Sequence, residues 1–115
     1  MPRVIYKLLA AADWSAALAQ GSYPGSAVDR RDGFLHFSAA DQVVETAAIH
    51  FGGQAGLVLL TVDPDLLGTA LRWEVSRGGA RFPHLYRNLP VTAVVAAEPL
   101  PDDVPVAEAV AALLA

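Results

Sequence analysis

Two short stretches of the sequence carry the residues best suited to proton transfer. In residues 32–38 (DGFLHFS), His36 lies in an apolar segment that follows an Asp-Gly turn. In residues 82–86 (FPHLY), His84 follows a proline and precedes a tyrosine, and Glu74 comes shortly before this stretch. Imidazole and carboxylate groups are the side chains that most often act as general acids and bases. These positions are therefore the candidates for a site.

Alternation along two predicted strands indicates that these side chains meet. Leu35 and Phe37 share one strand face, which leaves His36 on the other, and the same parity places Glu74 beside Arg72 on a later strand. The rigid turn before His84 could return that residue to the same cleft. The residues predicted to be catalytic are His36, Glu74 and His84; those predicted to bind ligand are Ser38, Arg72, Tyr86, Tyr6 and Tyr23; no metal-ligating set is predicted.

Each of these residues also has a structural explanation. His36 could be a half-buried histidine bonded to the backbone, and Glu74 could pair with a neighbouring arginine on a solvated edge. Ser38 opens the pattern Ser-Ala-Ala-Asp, which resembles a capping box, so it is predicted to cap a helix whichever role the site has. The sequence contains no phosphate-binding glycine loop, nucleophile elbow or zinc-protease motif.

The composition predicts one folded domain and excludes several classes of protein. The chain has 115 residues, 54% of them apolar and 17% charged, with a net charge of −4 and no cysteine. Residues 1–115 are predicted to form a single domain, with a core over about 3–98 and a proline-rich connector and terminal helix over 99–115. No basic stripe, signal peptide or membrane span is recognised, so we expect a cytoplasmic protein without nucleic-acid or membrane partners. The oligomeric state stays open.

Hydrophobic periodicity predicts an α+β fold. We expect about five strands in a mostly antiparallel sheet, with residues 57–62 as its central strand, and two or three helices. Residues 21–31 are predicted to be a loop. The predicted helices cover residues 14–20, a segment from Ser38 to about Phe51, and 106–114, and the predicted core contains Trp14, Leu35, Phe37, Val44, Ala48, Leu59 and Trp73.

The combination of DGFLHFS and FPHLY resembles the bacterial domain of unknown function 952 family. Supporting matches run through nearly the whole chain, to about Pro99. Those outside the two stretches are Ile5-Tyr6-Lys7, Trp14, Gly21-Ser22-Tyr23, Gln42 and Trp73-Glu74. The family has no established activity to carry over.

That family's fold and motif arrangement are similar, more distantly, to the ADP-ribosyltransferase superfamily. The similarity implies an enzyme that breaks the nicotinamide bond of NAD, with His36 orienting a ribose and Glu74 stabilising an oxocarbenium-like cation. Tyr6 or Lys7 would stand where the superfamily has a histidine on its first strand. NAD is thus a candidate cofactor, and transfer or hydrolysis of an ADP-ribosyl or glycosyl group is the first hypothesis.

Two other hypotheses remain open. The chain could be a binding module without turnover, in which the helix N-terminus after Ser38 holds a nucleotide or another small anion. In that case His36, Arg72 and His84 would surround the ligand. In the third hypothesis the protein has a structural or interaction role and the polar residues are surface residues.

Overall fold

The computed structural model describes residues 3–115 as eight strands and four α-helices. Short 3-10 turns lie at Pro64–Ala70, Arg77–Gly79 and Val91–Ala93. The strands are β1 (Ile5–Ala10), β2 (Ser22–Tyr23), β3 (Leu35–His36), β4 (Leu57–Val62), β5 (Leu71–Val75), β6 (Arg81–Leu85), β7 (Leu89–Pro90) and β8 (Val94–Pro99); the helices are α1 (Ala11–Gln20), α2 (Ala27–Asp32), α3 (Val43–His50) and α4 (Val106–Leu114).

The strands of residues 3–115 form three antiparallel sheets. Their orders are β1-β4-β8, β2-β7 and β3-β6-β5. The α+β class and the antiparallel pairing are thus confirmed, whereas the expected count of about five strands was too low. Three of the eight strands have only two residues, which is too short to produce a recognisable alternating pattern.

Strand β4 lies at the centre of the first sheet and is apolar on both faces. One core cluster contains Val58 and Leu60 of β4, together with Leu35 and Phe37 from the β3 segment. The other cluster contains Leu57 and Leu59, with residues of α3 and α4. Burial on both sides explains why residues 57–62 form a continuous apolar run, as predicted for a central strand.

The residues around β3 connect two of the sheets. Leu35 and His36 pair with Leu85 and His84 of β6. Two residues further on, Ser38 exchanges both backbone hydrogen bonds with Tyr6 of β1, at N···O distances of 2.8 and 2.9 Å. The segment from Leu35 to Ser38 therefore lies between the two main sheets, and it brings His36 to their junction.

Three predictions about helices were wrong. Residues 21–31 are not all loop, because α2 begins after Ser26. Ser38 is not a helix cap: α3 begins at Val43, and the Ala39 amide donates to the Gln42 side chain instead. Ala48, predicted to be core, is exposed because the inward positions of this short helix are Val43 and Ala47.

The other predicted core residues lie inside or against the core. Leu35, Phe37 and Leu59 are buried. Trp14 and Trp73 are partly buried and pack against the first cluster, and Val44 packs in the same way against the second.

Candidate functional site

The deepest polar group of the site is the carboxylate of Asp29, on helix α2. Ser26 and Asp29 form a capping box, in which the Ser26 hydroxyl accepts from the Asp29 amide and the Asp29 carboxylate accepts from the Ser26 amide. The preceding Gly25 has a φ of 102°, and a Cβ there would lie 2.9 Å from the Asp29 Cβ. The cap and the glycine together allow α2 to begin with its carboxylate turned inward.

Four donors satisfy the two oxygens of Asp29. Oδ1 accepts from the His36 amide at 3.0 Å and from His36 Nδ1 at 2.6 Å. Oδ2 accepts from the Ser26 amide at 2.9 Å and lies 3.0 Å from Lys7 Nζ. Burial alone raises the pKa of Asp29, but the hydrogen bonds from His36 and the charge of Lys7 outweigh it and hold that pKa well below its ordinary value.

Lys7 reaches this carboxylate from strand β1 and is almost fully buried. Its ammonium donates to the His36 carbonyl at 2.7 Å and lies over the rings of Phe37 and Tyr23 at 5.3 and 5.9 Å from their centroids. Burial lowers the pKa of Lys7, against the opposing charge of Asp29. The ammonium holds both the carboxylate and the backbone of β3, so its role is to fix the position of His36.

The His36 ring is held between two carboxylates. Nδ1 contacts buried Asp29, and Nε2 lies 3.0 Å from Asp32 Oδ2 at the end of α2. Asp32 is exposed and is also in contact with Arg31. Because Asp29 fixes one edge of the imidazole and Asp32 occupies the other from the surface, a substrate hydroxyl could replace Asp32 without disturbing the anchor.

A second histidine–carboxylate pair lies on the neighbouring strands. His84 Nδ1 contacts Glu74 Oε1 at 2.9 Å, and the Tyr86 hydroxyl donates to the same oxygen at 2.6 Å. The hydrogen bonds from Tyr86 and His84 lower the pKa of Glu74. The bond between Tyr86 and Glu74 also raises the pKa of Tyr86. Within residues 3–115, Glu74 Oε2 has no hydrogen-bond partner, so one carboxylate oxygen is available to a ligand.

Phe34 joins the two pairs. Its ring stacks on His84 at a centroid distance of 4.0 Å and lies 4.6 Å from His36 and 5.3 Å from Tyr86. The imidazoles themselves are 5.6 Å apart, edge to face. This separation is short enough for one small substrate to contact both sides of the cluster.

A groove of about 770 Å³ runs past these residues. His36 and His84 line it, as do Tyr6 and the buried Lys7–Asp29 pair. Glu74 does not line the groove, and its partly exposed carboxylate is connected to it through His84 Nδ1. Towards α3 the groove is lined by Ser38, Thr46 and Arg77, whose side chains form a hydrogen-bonded chain.

The structure brings the three predicted catalytic residues together, while the predicted ligand-binding residues are divided among several places. Tyr86 belongs to the Glu74 pair, and the Arg72 guanidinium lies over the Tyr86 ring, 5.1 Å from its centroid. Tyr23 is buried beneath Lys7, and burial is the main reason that its pKa is raised. Ser38 bonds Thr46 of α3 inside the groove and does not cap that helix.

Sequence reasoning did not identify Asp29, Asp32 or Arg77 as site residues. A signal for Asp29 was present, because Ser26-Ala27-Val28-Asp29 is a capping-box pattern. No local signal links Asp29 to Lys7, which comes from another part of the chain. Among residues 3–115, no group of three or more His, Asp and Glu side chains is arranged to hold a metal ion.

None of the helices in the described part of the chain has the length and apolar character needed to cross a bilayer. The longest, α1, has ten residues.

Comparisons with known proteins place these features in a family. The profile of the family described as "Protein of unknown function (DUF952)" matches residues 8–97. The crystal structure of protein CC0527 from Caulobacter crescentus is 54% identical, with a TM-score of 0.86, and the match covers 94% of this chain and 98% of that one. The solution structure of CC0527 is 58% identical with a TM-score of 0.77, covering 85% and 84% of the two chains. No curated protein matches.

Proposed function

The chain belongs to the DUF952 family, and on that premise we propose that it is an enzyme that transfers or hydrolyses the ribosyl group of NAD or a related nucleotide. His36 and Glu74 act at the reacting sugar, which extends from the groove past His84 to the partly exposed Glu74 carboxylate. The observation that carries the proposal is the pairing of two anchored histidines, 5.6 Å apart, each bound to its own carboxylate. Anchoring of this kind fixes the orientation of groups that must meet a substrate in one geometry.

In this proposal His36 binds a ribose hydroxyl. The bond from Nδ1 to Asp29 fixes the plane of the ring and leaves Nε2 towards the surface. A ribose hydroxyl takes the place of Asp32 at Nε2, at similar hydrogen-bond length. Because Asp29 and Lys7 are buried beneath, the ring has little freedom to turn away.

Glu74 stabilises the positive charge that develops at the anomeric carbon. The bond between C1′ and the nicotinamide nitrogen breaks, and the electron pair leaves with nicotinamide, which departs as a neutral molecule. Water or an acceptor hydroxyl forms the new bond at C1′, and its proton passes to solvent by way of Glu74. An ordinary glutamate is already a carboxylate at neutral pH, and the hydrogen bonds from Tyr86 and His84 lower the pKa of Glu74 further, so the group carries the negative charge that this role requires.

The alternative is a module that binds a nucleotide or another small anion without turnover. It depended on a helix N-terminus at Ser38, but the amides of Ser38 and Ala39 already donate to the Tyr6 carbonyl and the Gln42 side chain. A negative carboxylate at Glu74 also suits a developing cation better than a bound anion. Both observations favour the enzyme.

The test is turnover of NAD by the purified protein, followed by chromatography of nicotinamide and ADP-ribose. His36→Gln and Glu74→Gln should each lower the rate by at least about a hundredfold, the usual contribution of a group placed at the reacting atoms. The matched control is Glu98→Gln, which changes an exposed carboxylate on β8 and should leave the rate unchanged. Absence of nicotinamide release, together with saturable binding of ADP-ribose, would instead favour the binding module.

A further inference from the structure

Arg77 differs from the other lysine and arginine residues of the groove because it lacks a carboxylate partner. Lys7 lies 3.0 Å from Asp29 and Arg31 lies 3.0 Å from Asp32. Within the described residues 3–115, no carboxylate oxygen lies within salt-bridge distance of Arg77. In a chain with a net charge of −4, an unpaired cation in a groove is a local centre of attraction for anions.

The position of Arg77 is fixed by three contacts. It lies in the turn between β5 and β6, where the Ala80 amide donates to the Arg77 carbonyl and the next residue, Gly78, has a φ of 67°. Its guanidinium lies over the Phe82 ring, 4.9 Å from the centroid. Its Nη2 donates to Thr46 Oγ1 at 3.2 Å.

The proton on each hydroxyl in this chain can be assigned. The Thr46 hydroxyl donates to the Gln42 carbonyl at 3.1 Å. Ser38 must therefore supply the proton for its 3.0 Å bond to Thr46 Oγ1. Thr46 Oγ1 then accepts from both Ser38 and Arg77, so Thr46 holds the guanidinium, Ser38 holds Thr46, and neither hydroxyl has a proton left to give a ligand.

Most of the donor capacity of Arg77 is unused. A guanidinium has five N–H groups, and Arg77 gives one of them to a protein acceptor among residues 3–115. A planar fork with several free N–H groups matches the oxygens of a phosphate, which it binds in a bidentate manner. The Phe82 ring covers one face of the guanidinium, so a ligand is directed to the edge of the guanidinium, where the free N–H groups point.

We propose that Arg77, held by Thr46 and Ser38, binds a phosphate group of the substrate while the sugar lies at His36 and His84. This inference rests on the proposed function for the identity of the substrate, and it adds which residue holds one of the substrate's phosphates. Arg77 contacts the ligand, whereas Thr46 and Ser38 are positioning residues. The same groove connects the two ends of the site.

The first experiment follows the Nε–Hε signals of 15N-labelled protein during titration with ADP-ribose, inorganic phosphate and acetate. ADP-ribose and phosphate should move the Arg77 signal, and acetate should have a much weaker effect. Arg81 is the internal control, because it lies outside the groove and donates to the Trp73 carbonyl. Lack of binding by ADP-ribose and phosphate, an unmoved Arg77 signal, or equal binding of acetate would each overturn the phosphate site.

The second experiment measures ADP-ribose affinity in variants by calorimetry. Arg77→Gln should weaken binding by about 10- to 100-fold, the range for losing a hydrogen bond to a charged group, and Arg81→Gln should leave it within about twofold. Thr46→Val keeps the guanidinium but removes the hydroxyl that positions it, so it should weaken ADP-ribose binding less than Arg77→Gln does. Thr46→Ser keeps a hydroxyl and should bind ADP-ribose with the parental affinity. Parental affinity in Arg77→Gln would contradict the phosphate site, and parental affinity in Thr46→Val would contradict the positioning role of Thr46.

The two proposals can fail separately. If ADP-ribose binds through Arg77 but NAD is never cleaved, the phosphate site stands and the enzyme proposal is wrong. If NAD is cleaved and Arg77→Gln leaves KM and kcat unchanged, the enzyme proposal stands and the phosphate site is wrong.

Discussion

The two histidine–carboxylate pairs are built in opposite senses. In the first, the Asp29 carboxylate is 2% exposed and the His36 ring is 35% exposed. In the second, the His84 ring is 6% exposed and the Glu74 carboxylate is 36% exposed. In the first pair a buried carboxylate, Asp29, supports a partly exposed imidazole. In the second pair a buried imidazole, His84, supports a partly exposed carboxylate.

This difference indicates which residue of each pair is structural. A buried carboxylate needs full compensation, and Asp29 has four donors around it. Glu74 can rely on water, and among the described residues 3–115 it forms hydrogen bonds through Oε1 alone. We therefore expect Asp29 to matter chiefly for stability and Glu74 chiefly for function, and the predictions below test that division.

The largest expected effect follows removal of the buried acid. Asp29→Ala leaves Lys7 as a buried cation without a counter-ion and also removes the bond from the Ser26 amide to the Asp29 carboxylate, which is half of the capping box of α2. The free energy of unfolding should fall by about 3–5 kcal/mol, the usual cost of breaking a buried ion pair. Urea denaturation of the variant beside the parent measures this difference.

Asp32→Ala is the matched control. It removes the exposed carboxylate on the other side of the same ring and should leave the urea midpoint close to the parent's. Equal losses in the two variants would mean that the Asp29 pair is not the structural one.

The same carboxylate should make stability depend on pH in the acid range. The pKa of Asp29 is lower in the folded than in the unfolded chain, so its contribution is fully present above the ordinary aspartate pKa of about 4. That contribution is lost as the pH falls from there through the lowered folded pKa. Asp29→Asn should therefore show a shallower decline in unfolding free energy below about pH 4 than the parent.

Glu74 and the other carboxyls are present in both proteins, so their contributions cancel in the difference between the two curves. If the unfolding free energies of Asp29→Asn and the parent fell with the same slope below about pH 4, the stabilising role given to the ionised Asp29 carboxylate would be wrong.

A smaller effect is expected at the glycine that makes room for Asp29. Gly25→Ala would place a Cβ 2.9 Å from the Asp29 Cβ at a φ of 102°, and it should cost about 1–3 kcal/mol through backbone strain and displacement of the carboxylate. Gly33→Ala is the control, because Gly33 also has a positive φ, 87°, but an open space beside it. Thermal or urea unfolding measures the loss of stability in both variants. Equal losses would mean that the contact between residue 25 and Asp29 does not matter for stability.

The exposed pair was easier to anticipate from sequence than the buried one. Residues 71–75 form a strand that alternates over its full length, so the shared face of Arg72 and Glu74 could be inferred. Strand β6 then pairs with β5 across a short connection, which brings His84 back beside them. Alternation located Arg72 and Glu74, but the predicted rigid turn before His84 was wrong: Pro83 lies inside β6, and the turn that returns the chain is at Arg77–Gly79.

The buried pair depends on contacts that no local pattern records. Helix α2 has six residues, too few for a helical apolar period, so its capping box was the only local indication of it. Lys7 was named as a first-strand position, but a lysine in a strand ordinarily predicts an exposed side chain. Only the packing of β1 against the β3 segment encloses that ammonium, and the enclosure then requires an acid such as Asp29.

The smallest expected effect on stability is at Glu74, and there the informative readout is spectroscopic. The Tyr86 hydroxyl donates to the Glu74 carboxylate, and this hydrogen bond is the main cause of the raised pKa of Tyr86. Glu74→Gln removes the charge and keeps the shape, so the pKa of Tyr86 should fall towards its ordinary value of about 10. A pH titration of 13Cζ-labelled tyrosine follows Tyr86, with Tyr23 as the control, because its raised pKa arises mainly from burial and should not change. The urea midpoint of Glu74→Gln should coincide with the parent's, since water can replace the lost contacts at an exposed carboxylate. A large loss of stability with an unchanged Tyr86 titration would reverse the division between the two pairs, and Glu74 would then be a structural residue like Asp29.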